Sequence, residues 1–334
     1  MYLSLLNTLF LSTLIMGTMI TLSASSWFSA WTGLELNLLS FIPLIVLLNN
    51  KYSAEAALKY FLIQALGSSM IIFASVILLF SLNIPFTIIA FALLLKLGAA
   101  PFHFWFPQIM EGLLWPQAII LMTIQKMAPM FLISYLIEIK MISHIIIIVG
   151  MLSAILGAVM GLNQTSLRKI MAFSSINHMA WMLLAMLISE NMLMFYFIFY
   201  CLISASIMIL FYYQQTYYFN QLLNQTEMSN YFKMLCFMSL LSLGGLPPFS
   251  GFIPKWILIQ EMIYAQFYFP LMVLLLMTLI TLYFYLRMAI SFFTISSPKL
   301  KQSMFMTSFQ NFLSPMLTFL NMFGLLIPSF FIFF

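Results

Sequence analysis

Long apolar runs recur from one end of this chain to the other, and charge is almost absent from them. The 334 residues include twelve Lys or Arg and seven acidic side chains, every one of the seven a Glu, so charged groups make up 6% of the sequence. A soluble domain spends about a quarter of its residues on charge. So little cannot cover a water-facing surface of this size. Intrinsic disorder is excluded by the same composition, since Phe 36, Tyr 15 and Trp 6 make the chain aromatic-rich. Cys201 and Cys236 are too few for a disulfide scaffold. What remains is an all-α polytopic membrane protein, with a mean hydropathy of +1.10.

At roughly 20 residues per crossing, the apolar runs divide into about eleven spans: 3–22, 26–48, 55–80, 86–110, 116–137, 143–160, 168–188, 193–213, 236–262, 270–290 and 309–332. No basic region precedes the first, so it reads as a retained helix rather than a cleaved signal. The longest polar connections are 214–233 and 291–308. If loops alternate between faces, the side of the N-terminus collects Lys51, Arg168, Lys169, Lys233, Arg287, Lys299 and Lys301, and the opposite side only Lys140. That bias marks the N-terminal side as matrix or cytoplasmic and puts the C-terminus on the other face. The N-x-T sequons at Asn163 and Asn224 then lie on the inner side and carry no expected glycan.

Removing loop charges leaves Glu35, Lys96, Lys126 and Lys255 inside apolar runs. Lys96 and Lys126 fall about 15 Å from a predicted helix end at the α-helical rise, too deep to reach the interface easily. A central charge costs roughly 2.5–3.5 kcal/mol on insertion scales. Such residues therefore face protein or water, and by default mark ion or proton pathways. Lysine suits a relay because burial and a neighbouring carboxylate pull its proton affinity in opposite directions, whereas arginine stays protonated. A static buried ion pair is the alternative reading. Lys59 lies near a helix end, four residues after Glu55, which suits a local surface pair.

Two spans look interrupted: one by Gly98, Pro101 and Pro107 just after Lys96, the other by Gly244, Gly245, Pro247, Pro248, Gly251 and Pro254 just before Lys255. Proline removes an amide donor and clashes with the preceding turn. Half-helix ends and freed carbonyls at such breaks can bind ions or order water. His178 is mid-helix with Ser174 on the same face and Ser175 and Asn177 nearby, suited either to a water wire or to a structural hydrogen bond. His103 follows Pro101 at the first break; His144 starts a helix and reads as interfacial. These histidines are too dispersed to form a metal-ligand run. No phosphate-binding glycine motif, CxxC spacing or basic nucleic-acid patch is present in the sequence.

GLELNLLSFIP, AALKYFLIQALGS, KLGAAPFHFWFPQ, QKMAPM, SSINHMAW and GGLPPFSGFIPKW carry a resemblance between residues 33 and 256. Together they resemble the antiporter-like, chain N (subunit 2) type of membrane subunit in mitochondrial complex I, NADH:ubiquinone oxidoreductase. The shortened animal form, insects included, lacks three N-terminal helices of bacterial relatives and agrees with about eleven spans. The resemblance implies an antiporter-like fold with two discontinuous helices in a single membrane domain, with a core near 24–290 and a C-terminal lateral helix near 309–332.

By that resemblance Glu35 is the carboxylate partner of the broken-helix lysine Lys96, Lys126 the central relay lysine and Lys255 the terminal lysine on the second broken helix. Lys59 matches a further lysine on the polar axis, and His178 completes the proton-relay set. The implied function is proton translocation in the mitochondrial inner membrane, coupled to redox chemistry elsewhere. NADH, FMN, iron–sulfur clusters and ubiquinone would be handled by partner subunits, with no cofactor or metal held by this chain. Expected partners are neighbouring antiporter-like and small core subunits, accessory subunits and lipids including cardiolipin, and no nucleic acid. A stand-alone cation/proton antiporter and a purely structural membrane-arm subunit are the alternatives.

Overall fold

A computed structural model describes residues 5–46, 50–78, 84–224, 230–294, 318 and 321. The described residues are almost wholly helical. In chain order they form α1 (Leu5–Leu22), α2 (Trp27–Ile45), α3 (Lys51–Ile77), α4 (Ile84–Leu97), α5 (Trp105–Gly112), α6 (Trp115–Met122), α7 (Ile124–Ser134), α8 (Lys140–Gly161), α9 (Leu167–Ile188), α10 (Glu190–Gln214), α11 (Phe219–Asn224), α12 (Asn230–Gly244), α13 (Phe252–Tyr264) and α14 (Tyr268–Thr294). Eight helical spans among these residues are long and apolar enough to cross a membrane. Ten of the expected spans correspond to this order, and three of them are divided: 86–110 into α4 and α5, 116–137 into α6 and α7, and 236–262 into α12 and α13. Apart from Thr318 and Asn321, the expected span 309–332 lies outside the described residues, as do Lys299 and Lys301.

The chain separates into two compact units, Met1–Ser153 and Ala154–Phe334. In the first, α1 and α2 cross where Gly17 meets Gly33. A Cβ on Gly33 would lie 2.9 Å from the Gly17 carbonyl, and one on Gly17 would overlap the Asn37 side chain. Without a hydrophobic drive between helices in lipid, small residues that let backbones touch supply the contact. A capping box starts α2: the Ser29 amide donates to Ser26 Oγ, and the Ser26 amide to Ser29 Oγ, each at 3.2 Å. Hydroxyls on apolar helices are satisfied locally; Thr18 and Thr21, for example, donate to the carbonyls three residues earlier.

In the second unit α9 is buried on nearly every side, from Ile170 to Met186. A helix hydrophobic all round belongs in such an interior. The outer helices expose Leu202, Met272, Leu276 and Leu279, which suits lipid rather than water. The expected polar connection 214–233 contains the short helix α11. Its Leu222 is buried, and Phe219 lies under the Arg287 guanidinium at 5.7 Å. Ahead of it, the Leu167 amide donates to the Tyr217 carbonyl and the Phe219 amide to the Thr165 carbonyl, both at 2.9 Å, so apolar side chains and a short bridge pin the connection down.

Candidate functional site

The break between α4 and α5 is built by Gly98, which takes a φ of +71° that only glycine adopts freely. The Ala99 amide donates to the Leu94 carbonyl at 3.2 Å and the Gly98 amide to the Leu95 carbonyl at 3.1 Å. This paired closure is a Schellman motif. Across the break, the Trp105 indole donates to the Leu95 carbonyl at 3.0 Å, and Gln64 Nε2 donates to the Lys96 carbonyl at 3.2 Å. Lys96 sits in the last turn of α4, buried, where the carbonyl end of the helix dipole favours a cation. Its stem lies along Gly67 of α3: a Cβ there would be 2.9 Å from Lys96 Cγ.

The break between α12 and α13 repeats the device. Gly245 has φ +78°, the Gly245 amide donates to the Ser242 carbonyl at 3.1 Å, and the Leu246 amide to the Leu241 carbonyl at 3.4 Å. Here the lysine comes from the far side. Lys255, in the first turn of α13, reaches back so that its Nζ donates to the Gly244 carbonyl at 2.8 Å. Gly245 leaves the room for it, since a Cβ at that position would be 2.9 Å from Nζ. The carbonyls of Leu94, Leu95 and Lys96 at the first break, and of Leu241, Ser242 and Gly244 at the second, are thus engaged by donors of the protein itself.

A third interruption, at Thr123, was not expected. Its φ of −111° and ψ of −80° leave the helical region and separate α6 from α7. Pro129, inside α7, cannot donate toward the Gln125 carbonyl, and its ring crowds that turn. The interruption puts Lys126 in the first turn of α7, where its amide donates to the Thr123 carbonyl at 3.1 Å. The Lys126 ammonium lies 5.0 Å from the centre of the Phe106 ring, a cation–π distance.

Lys96 and Lys126 line one cavity of about 20 Å³, room for about one water, together with Asn37, Tyr60, Gln64 and Gln125. This polar lining is the kind that holds ordered water. Glu35 lies within electrostatic reach of Lys96. No direct ion pair between the two is present among the described residues. Ser68 Oγ donates to Glu35 Oε1 at 3.3 Å, while Oε2 is buried without a hydrogen-bond partner. Sequence reading missed Gln64, Gly67 and Ser68. Their signal was present in AALKYFLIQALGS as small and polar residues three to four apart on one helix face.

Lys59 forms an ion pair with Glu55 at 2.6 Å, with side-chain exposures of 41% and 62%, and it is not among the residues lining the Lys96–Lys126 cavity. His103 is buried in the turn before α5, its ring 4.3 Å from that of Phe104. His144 is exposed in α8. In the second unit, His178 of α9 shares a 3.0 Å hydrogen bond with the Tyr196 hydroxyl through Nδ1, and the Tyr200 ring lies 5.3 Å away. A small cavity of about 10 Å³ is lined by His178, Tyr196 and Tyr200 together with Ser242, Gly251 and Pro254 at the second break. Tyr196 and Tyr200 were also missed, because aromatic residues on an apolar helix read as core. No group of His, Cys or Glu able to hold a metal occurs among the described residues.

The family described as NADH:quinone oxidoreductase/Mrp antiporter, TM, matches residues 24–281. The fold resembles a chain of respiratory complex I from Thermus thermophilus, with a TM-score of 0.85 at 22% identity over 97% of this chain and 79% of that one. NADH-ubiquinone oxidoreductase chain 2 of Anopheles gambiae is 49% identical over 304 residues, 88% of this chain and 87% of that relative. The Aedes aegypti protein of the same name is 47% identical over 333 residues, 96% of each. The chain belongs to the NADH-ubiquinone oxidoreductase chain 2 family.

Proposed function

We propose that this chain is a membrane-arm subunit of the respiratory NADH:ubiquinone oxidoreductase and moves protons in response to redox chemistry in partner subunits. Relatives named as chain 2 of that enzyme, across almost the whole chain, favour this reading over a stand-alone antiporter. Within the first unit, Glu35, Lys96 and Lys126 form the relay. Moving negative charge toward or away from Lys96 changes its hold on a proton, and water in the shared cavity passes that proton to Lys126. Lys59, paired with Glu55, feeds the same polar axis. In the second unit, His178 and Lys255 serve the cavity at the second break. NADH, FMN, iron–sulfur clusters and ubiquinone belong to partner subunits. The protein resides in the mitochondrial inner membrane among core and accessory subunits and lipids including cardiolipin, with its N-terminus on the matrix side. The antiporter-like core spans about 24–290 of a single membrane domain.

The observation that carries this reading is that Lys96 and Lys126, each costly in a membrane, line one polar cavity. Its test is Lys126→Met in the assembled complex, reconstituted in vesicles. Proton uptake per NADH oxidised falls while the amount of assembled complex is unchanged. Unchanged pumping would remove Lys126 from the relay and leave a structural role.

A further inference from the structure

Asn321 lies far along the sequence from the second break and holds both of its flanks. Its carbonyl accepts from the Ser250 amide at 3.1 Å, on the side leading into α13. Its side-chain Oδ1 lies 3.1 Å from Ser242 Oγ, in the last turns of α12, and shares the hydroxyl proton of Ser242 with the Ser239 carbonyl at 2.7 Å. Asn321 is 1% exposed, and its Nδ2 is buried without an acceptor.

The two flanks that Asn321 joins are already close together. Gly251 lies against the Ser242 carbonyl so tightly that a Cβ would overlap it. Between them the chain makes the turn at Gly245, and Gly244 offers its carbonyl to Lys255 Nζ. Ser242 and Gly251 also line the cavity that contains His178. One residue therefore fixes the separation of the two half-helices, the direction of the Gly244 carbonyl and the wall of the His178 cavity.

We propose that Asn321 is a positioning residue for proton transfer at Lys255: it clamps Ser242 to Ser250 and so keeps the Lys255 ammonium against the Gly244 carbonyl. The inference rests on the reading of Lys255 as a proton carrier. Asn321 touches no transferred proton itself. Without the clamp the half-helices part, Lys255 loses its fixed acceptor, and transfer at this break slows, because transfer depends on sub-ångström placement of donor and acceptor.

The test uses the assembled complex in vesicles, reading protons moved per NADH oxidised alongside the quantity of intact complex. Asn321→Leu removes the side-chain bond at similar volume, and pumping per assembled complex falls about three-fold or more. Asn321→Asp keeps an oxygen for Ser242 Oγ and restores most of that loss. Ser242→Ala breaks the same bond from the other side, and the double variant with Asn321→Leu is no worse than the poorer single one, as expected of residues acting through one contact. A fall in assembled complex with unchanged pumping per complex overturns the proposal, as do additive losses in the double variant. Should Asn321→Leu fail to assemble, Ser242→Ala decides alone: lowered pumping supports the clamp and normal pumping overturns it. Lys255→Met is the control. If it leaves pumping intact, the proton-carrier reading itself fails; if it abolishes pumping while Asn321→Leu does not lower it, only the clamp fails.

Discussion

At the break after Leu97 the lysine precedes the turn, and at the break after Gly244 it follows. Both breaks close with the same glycine-ended motif, and both lysine stems run along a glycine, Gly67 in one case and Gly245 in the other. They differ in what satisfies the exposed carbonyls. At the first break Trp105 and Gln64 supply the donors, which leaves the Lys96 side chain to the cavity shared with Lys126. At the second, the ammonium of Lys255 is itself the donor. One lysine thus borders the shared cavity; the other is part of the helix cap.

The largest effect that separates the two sites comes from removing each charge. Lys96→Met and Lys255→Met both lower proton pumping by assembled complex, on the order of ten-fold. Only Lys255→Met also strips the donor from the Gly244 carbonyl, which costs about 1–3 kcal/mol for a buried group left unsatisfied. Its thermal inactivation midpoint therefore falls below that of Lys96→Met. Equal midpoints would break the distinction.

A smaller contrast comes from the glycines. Gly98→Ala and Gly245→Ala each incur about 1–2 kcal/mol for a left-handed backbone. At Gly98 the new Cβ meets Trp105 and Phe106 at 3.2–3.3 Å, whereas at Gly245 it meets Lys255 at 2.8–2.9 Å. Gly245→Ala should lose pumping as well as heat stability, and Gly98→Ala chiefly stability. Vesicle pumping assays alongside thermal inactivation of the two variants check this.

The smallest effect sharpens the first break alone. Trp105→Phe and Gln64→Leu each remove one bond to a half-helix carbonyl, for a loss of about 1 kcal/mol. Both are read as a lower midpoint; pumping per complex stays close to normal for Trp105→Phe and falls modestly for Gln64→Leu, whose amide lines the Lys96–Lys126 cavity. A pumping loss as deep as that of Lys96→Met would mean that these donors do more than cap the helix.

Much of this was legible in the chain because charge in an apolar run is costly and therefore visible. Lys96, Lys126 and Lys255 stood out on that ground, and the glycine–proline clusters beside Lys96 and Lys255 announced two breaks. The break at Thr123 did not, since an isolated threonine is common in membrane helices and Pro129 lies one and a half turns further on. Gln64, Ser68, Tyr196 and Tyr200 are neutral, so burying them leaves no comparable mark on the sequence. Asn321 was invisible for another reason: its partners Ser242 and Ser250 are more than seventy residues away, and no local periodicity encodes such a contact.

The occupied carbonyls at the two breaks bear on which ion can use them. An alkali cation that sheds its water needs several oxygens to take the place of its shell, as in filters built from backbone carbonyls. Here Leu94 and Leu95, and likewise Leu241 and Ser242, have their oxygens engaged by backbone amides, and those of Lys96 and Gly244 are met by side-chain donors. A sodium or potassium ion would compete there with donors already in place, with only the remaining lone pairs to replace its water. A proton needs no such coordination cage, because it passes along hydrogen bonds that are already formed. The caps that complete the broken helices thus leave these carbonyls less suited to caging a dehydrated cation than bare half-helix ends would be.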